Sequence, residues 1–172
     1  MSAQILKAIL ADAPTINQLV NSAYRGEGSK QGWTTEADLL DGTRIDEAAV
    51  ADLLTKPDTT ILKYVEDNLI LGCVELRKEK DKLYLGMLSV APNTQGKGIG
   101  KKLLLAGEEH ARSLGIRAMM MTVISVRKEL IDWYVRHGYE LTGERKPFVV
   151  PDTRWGIPKQ TLEFVVLEKH LT

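Results

Sequence analysis

A chain that sets Gln95-Gly96-Lys97-Gly98-Ile99-Gly100 between the apolar run Leu88-Ser89-Val90-Ala91-Pro92 and the apolar, basic run Lys101-Lys102-Leu103-Leu104-Leu105 is constrained to a strand, a glycine-rich turn and a helix, in that order. Glycines at alternate positions 96, 98 and 100 expose successive backbone N–H groups, and the positive end of the helix dipole points at the same spot. Such a turn suits a pyrophosphate. Two better-known phosphate loops fail on spacing. A P-loop needs glycine where this chain has Gln95 and a magnesium-binding hydroxyl where it has Lys102, so the ATP affinity of a P-loop protein is not expected. The dinucleotide fingerprint needs a third glycine where Lys101 stands.

Gln95-x-x-Gly98-x-Gly100 fits a third pattern, the Gln/Arg-x-x-Gly-x-Gly/Ala signature that closes the acyl-CoA site of the GNAT superfamily of N-acetyltransferases, and the chain resembles that family. A second landmark lies downstream, Tyr134-Val135-Arg136-His137-Gly138-Tyr139, where the family has a helix ending in tyrosine, three residues, then glycine and an aromatic. One helix and one strand separate the two landmarks, as the resemblance requires.

The 172 residues suit a single domain over 1–172, with no linker-like stretch, repeat or low-complexity tract. Lys plus Arg and Asp plus Glu number 23 each, so no overall field draws the protein to nucleic acid or an anionic membrane. The lone Cys73, in an apolar run, excludes an internal disulfide framework and reads as a buried thiol. No apolar run approaches the ~20 residues a bilayer demands, and no signal-peptide pattern opens the chain, so the cytoplasm is the expected compartment.

The hydrophobic period predicts a strand over 4–10, a helix from Asp12-Ala13-Pro14 to about Gly26, a helix capped by Thr35 that carries Ala37, Leu39 and Leu40, and another over 46–54. A period of two then marks an antiparallel meander over 61–65, 69–77 and 83–90 with turns at Asp67-Asn68 and Lys80-Asp81. A helix over 98–114 stopped by Gly115, a buried strand over 118–124, a helix over 127–137, a strand from Tyr139, an irregular loop over 147–158 and a last strand over 160–167 complete the chain. The expected class is α/β, a mixed sheet of about seven strands with helices on both faces, the GNAT fold. A sheet edge at the last strand would offer a homodimer contact.

Acetyl transfer requires a deprotonated amine, a stabilised oxyanion and a proton for the departing thiolate. The resemblance implies acetyl-CoA as co-substrate, its arm along Leu88, Ser89 and Val90, and its pyrophosphate on Gln95, Gly96, Lys97, Gly98, Ile99, Gly100 and Lys101. It implies the Leu88 N–H as oxyanion donor and Tyr134 as general acid, against plain helix packing for that ring. Lys97 and Lys101 read equally as solvated lysines. The base departs from the family pattern: the strand position that carries glutamate in some members is Tyr84, and the later one is Thr122. Glu75 lies opposite Gly86 if the hairpin turns at Lys80-Asp81, on the face of Tyr84, and reads as a base acting directly or through water, or as a strand carboxylate paired with a nearby arginine. Arg127 replaces the asparagine that holds the CoA arm in many members and reads as a phosphate contact or a solvated side chain. His110, His137 and His170 lack metal-ligand spacing, and no metal is expected.

In the family the amine enters between the loop joining the first helices and the loop before the last strand. Here these hold Tyr24, Arg25, Glu27, Lys30, Trp33 and Glu36, and Arg145, Phe148, Asp152, Arg154 and Trp155. Aromatics with both charge signs suggest a polar small molecule that carries an amine and a carboxylate, with Tyr24, Trp33, Arg154 and Trp155 as contacts; the tryptophans read equally as loop anchors. A protein amine acceptor is the alternative substrate. A non-catalytic acyl-CoA-binding or sensory domain is the alternative class, encouraged by the missing carboxylate base.

Overall fold

The computed structural model describes residues 3–24, 40–41, 46–94, 97–147, 157–158 and 163–172. Its order is β1 (Ala3–Lys7), α1 (Ala13–Tyr24), β2 (Leu40–Asp41), α2 (Glu47–Thr55), β3 (Thr59–Glu66), β4 (Leu69–Glu79), β5 (Lys82–Val90), α3 (Ile99–Ser113), β6 (Ala118–Ile124), α4 (Lys128–Arg136), β7 (Glu140–Pro147), β8 (Ile157–Pro158) and β9 (Glu163–His170). A seven-stranded sheet runs β1-β3-β4-β5-β6-β9-β7, with β5 and β6 parallel and every other neighbour antiparallel. The α/β class and the mixed sheet are those the sequence predicts.

Alternation along the strands builds two cores. Ile61, Cys73 and Met87 face Ile16, Val20 and Val50 of α1 and α2. Val74, Leu76, Leu85 and Leu88 face the opposite way, toward Leu103 and Leu104 of α3 and Leu130 and Tyr134 of α4. Helices therefore cover both faces, and Cys73 is fully buried. Gly72 brings α3 against the sheet: a Cβ there would stand 2.9 Å from Leu103 Cδ1 and 3.0 Å from both Ile99 Cγ2 and the Ser89 carbonyl. None of the described helices is long and apolar enough to cross a membrane.

Several boundaries differ from expectation. The first strand ends at Lys7 because the chain turns into 3-10 helix at Leu10–Asp12, where the Asp12 carboxylate accepts from the Ile9 N–H at 2.8 Å and from Lys63 Nζ at 2.8 Å. Leu40 lies in a short strand, not a helix: β2 pairs with β8, Leu40 opposite Pro158 and Asp41 opposite Ile157. The predicted Thr35 cap lies outside the described residues. The last strand extends to His170, and it is not an edge, because it pairs with β6 on one side and β7 on the other. Its consecutive buried residues Val165, Val166 and Leu167 are the mark of a strand covered on both faces. The edges are β1 and β7, the latter exposed along its length.

Candidate active site

The parallel pair at the centre of the sheet comes apart. β5 and β6 are matched only at Leu83 with Met119 and Tyr84 with Met120, after which β5 stays with β4 and β6 with β9. A bulge marks the divergence: Met87 and Leu88 together oppose Val74, and Met87 takes a φ of 50°, rare for a side chain of its kind. The Met87 carbonyl accepts from the buried Ser89 hydroxyl at 2.9 Å, and Cys73 Sγ lies 3.9 Å from it. Between the parted strands lies a cavity of about 90 Å³, lined by residues 84–88 of β5, 121–124 of β6, and Arg127, Leu130, Tyr134 and Phe164. A single water needs only ~15 Å³ of such space, so a small acyl group has room.

At the far end of β5 the glycine turn opens α3. Gly98 caps the helix at φ 76°, ψ 16°, in the left-handed region glycine favours. Among the described residues nothing lies within 4 Å of a Cβ built there, so backbone conformation, not crowding, calls for glycine. Ile99 and Gly100 are buried while Lys97 and Lys101 are exposed. Gln95 and Gly96 lie outside the described residues.

From the opposite side α4 delivers Tyr134, only 4% exposed, into the cavity. Its ring meets those of Trp133 and Tyr139 edge-on, at centroid distances of 5.1 and 5.8 Å. Packing and a place in the cavity are thus compatible for this ring. Arg127, the residue before α4, lines the same space and is half-buried.

On the α1 and α2 side of the sheet Glu75 pairs with Gly86, and Arg77 with Tyr84, as the hairpin predicted. The buried Glu75 carboxylate takes an ion pair from Arg77 at 3.3 Å, and Arg77 also reaches Glu79 at 2.9 Å and lies 4.5 Å above the Tyr84 ring centroid. A Cβ on Gly86 would stand 3.1 Å from Glu75 Oε1 and 2.8 Å from Tyr84 Cε2. The missing side chain leaves a slot where carboxylate and phenol ring converge. Tyr84 and Gly86 line the cavity, and the Glu75 carboxylate stands beside Gly86 without lining it.

Of the acceptor-side residues, Tyr24 closes α1, and Arg145 stands on β7 paired with Glu163. Trp33, Arg154 and Trp155, with Arg25, Glu27, Lys30, Glu36, Phe148 and Asp152, lie outside the described residues. The β2 and β8 ladder does tie together the two segments to which they belong. His137, at the end of α4, has its Nδ1 2.6 Å from the Trp133 carbonyl and its ring 4.2 Å from that indole. Arg77 is the nearby arginine of the strand-carboxylate reading of Glu75, whereas the sequence reading misses Phe164 and the bulge at Met87, and nothing in the letters announced the bulge.

The pattern of the Acetyltransferase (GNAT) family matches residues 18–139. The chain belongs to this family. As such it is an acyl-CoA-dependent N-acetyltransferase. The N-acetyltransferase YjhQ of Escherichia coli K12 is 25% identical over 175 residues, covering 94% of this chain and 86% of its own length. The PaiA N-acetyltransferase of Thermoplasma acidophilum, solved with coenzyme A, superposes with a TM-score of 0.71 at 20% identity over 99% of each chain. YncA of Salmonella typhimurium, solved with its cofactor acetyl-CoA, gives 0.74 at 21% identity over 100% of this chain and 95% of its own. GNAT membership thus rests on sequence, and these structures share its fold.

Proposed function

We propose that the enzyme moves an acetyl group from acetyl-CoA to the primary amine of a polar small molecule by direct attack in a ternary complex. The observation that carries this reading is the cavity where β5 and β6 part, with the left-handed Gly98 turn at its β5 end and Tyr134 facing it from α4. A parted parallel pair gives an amide-rich arm a strand to lie along, and Leu88, Ser89 and Val90 are the residues assigned to it. Residues 95–101 are assigned the pyrophosphate, chiefly through main-chain N–H groups at the positive end of α3, with Lys97 and Lys101 adding charge. Arg127 is assigned to the same ligand, as the charged member of the described cavity lining.

Acetyl-CoA supplies an acyl carbon activated by a thiolate leaving group. The chain's part is to hold that carbon still, stabilise charge on its oxygen and manage two protons. The Leu88 N–H, at the bulge, is the oxyanion donor. Tyr134 donates a proton to the leaving sulfur from its place in the cavity wall. Glu75 takes the proton from the amine, through water at the Gly86 slot, with Arg77 keeping the carboxylate in place and Tyr84 forming the wall beside it. A small acceptor with an amine and a carboxylate, held by Tyr24, Trp33, Arg154 and Trp155, is favoured over a protein amine because the two acceptor segments are joined through β2 and β8.

The test is free-thiol release from acetyl-CoA across a panel of amino acids, polyamines and lysine peptides. Amine-dependent release with an amino acid or other small amine supports the reading. Release with peptides alone overturns the small-molecule acceptor, and CoA binding without amine-dependent release overturns the transfer.

A further inference from the structure

Behind Tyr134 stands a buried polar cluster that the cavity does not use. Glu108 of α3 is 2% exposed and sits between two donors: Tyr139 Oη at 3.0 Å from Oε2, and Lys169 Nζ at 3.1 Å from both carboxylate oxygens. The same Lys169, from β9, donates to the His137 carbonyl at 3.0 Å and lies 5.6 Å from the Tyr139 ring centroid. His137 is the residue that ends α4. The backbone N–H groups of His137 and Tyr139 both donate to the Tyr134 carbonyl, at 2.9 and 3.1 Å, and Gly138 N–H donates to that of Val135 at 3.0 Å.

This arrangement has a geometric consequence for the cavity. The last turn of α4 carries Tyr134 and ends on carbonyls that need partners and favour a cation. Lys169 supplies both, and Glu108 fixes Lys169. Tyr139, held by the same carboxylate, presses its ring edge against Tyr134. Gly138 makes the approach feasible: its φ is 94°, and a Cβ there would stand 3.1 Å from Lys169 Cε. Burial, and then the Glu108 charge, push the Tyr139 phenol far above its ordinary ionisation range, so it remains a donor to Glu108. Three elements distant in sequence, α3, β9 and the α4–β7 junction, thus converge on the end of one catalytic helix.

We propose that Glu108 and Lys169 are positioning residues that clamp the C-terminal end of α4 and thereby fix the Tyr134 phenol in the cavity. The proposal rests on Tyr134 being the proton donor, and the experiment separates the two claims. Tyr134→Phe, Lys169→Met and their double variant are compared for turnover of acetyl-CoA with the best amine of the panel. Backbone hydrogen exchange is followed at His137, Gly138 and Tyr139. Because Lys169→Met leaves Glu108 short of a cation, Glu108→Gln with Lys169→Met serves as a second variant without an unpaired buried charge. Lys169→Arg is the conservative control.

The clamp predicts that Lys169→Met lowers kcat by about tenfold or more while KM for acetyl-CoA holds within about twofold, because misplacing a group by an ångström costs rate and not binding. It predicts no further loss when Lys169→Met is added to Tyr134→Phe, since a group that is gone needs no positioning. Exchange at the three amides rises by about tenfold or more in either Met variant, beyond any change at β3 and β4 amides, and Lys169→Arg restores most of the rate. Multiplicative losses in the double variant, or unchanged exchange at the three amides, overturn the clamp. Full turnover in Tyr134→Phe overturns the proton-donor role instead. The exchange arm needs no acceptor and decides the clamp by itself.

Discussion

Single atoms decide what the centre of this sheet can do. At Gly86 the nearest atoms a methyl group would meet belong to the side chains of Tyr84 and Glu75, so Gly86→Ala displaces those side chains without breaking the strand. The expected outcome is a Tm within a few degrees of the parent, read by calorimetry, and a kcat lower by about tenfold, as functional groups shift by fractions of an ångström. Gly72→Ala is the contrast. It meets Leu103, Ile99 and the Ser89 carbonyl at about 3 Å, so it should cost roughly 1–3 kcal/mol in urea unfolding. His110 gives a pH signature: burial, and secondarily Lys7, hold its imidazole below the usual 6.5. An unfolded chain therefore takes up this proton before the folded one. Stability from this group is complete above pH 6.5 and falls as pH drops through the lowered folded value. His110→Gln should flatten that part of the stability profile, measured as urea midpoints from pH 7.5 to 5.

Elements show which features the letters reveal and which they conceal. The meander, α3 with its glycine turn and α4 with its terminal Gly138 are legible because period, cap and turn residues agree. Asp46 is such a cap: its carboxylate accepts from the Ala49 N–H at 2.8 Å, and Asp46→Ala should lower stability by about 1 kcal/mol in thermal melts. The early end of β1 follows from Asp12, whose carboxylate offers the backbone a turn in place of another strand pair. The helix expected around Leu40 gave way to a pairing with Pro158, a partner far off in the chain that no local window contains. The bulge at Met87 is illegible for a different reason. Its φ of 50° is enforced by the sheet around it and by no turn-forming residue. The landmarks of the cavity were thus readable from Gly98 and Tyr134, while the cause of its opening was not. Glu108 and Lys169 read as ordinary helix and strand charges until the fold buries Glu108 and brings Lys169 onto it.

As a whole, the molecule is a sheet parted at its middle, and a ligand that spans the parting binds the native state alone. CoA at one hundred times its Kd should therefore raise unfolding free energy by about 2.7 kcal/mol, seen as a rise of several degrees in Tm. The edges of the seven-stranded sheet are β1 and β7, so association of copies by strand pairing on it would involve one of these in place of the last strand. The central claim is that acetyl-CoA occupies the parting with Tyr134 as its proton donor, and the most direct measurement is turnover of acetyl-CoA by Tyr134→Phe beside its CoA affinity. A loss of kcat of about 100-fold or more, with Kd for CoA within about twofold of the parent, is the predicted result. Turnover equal to the parent's would contradict it.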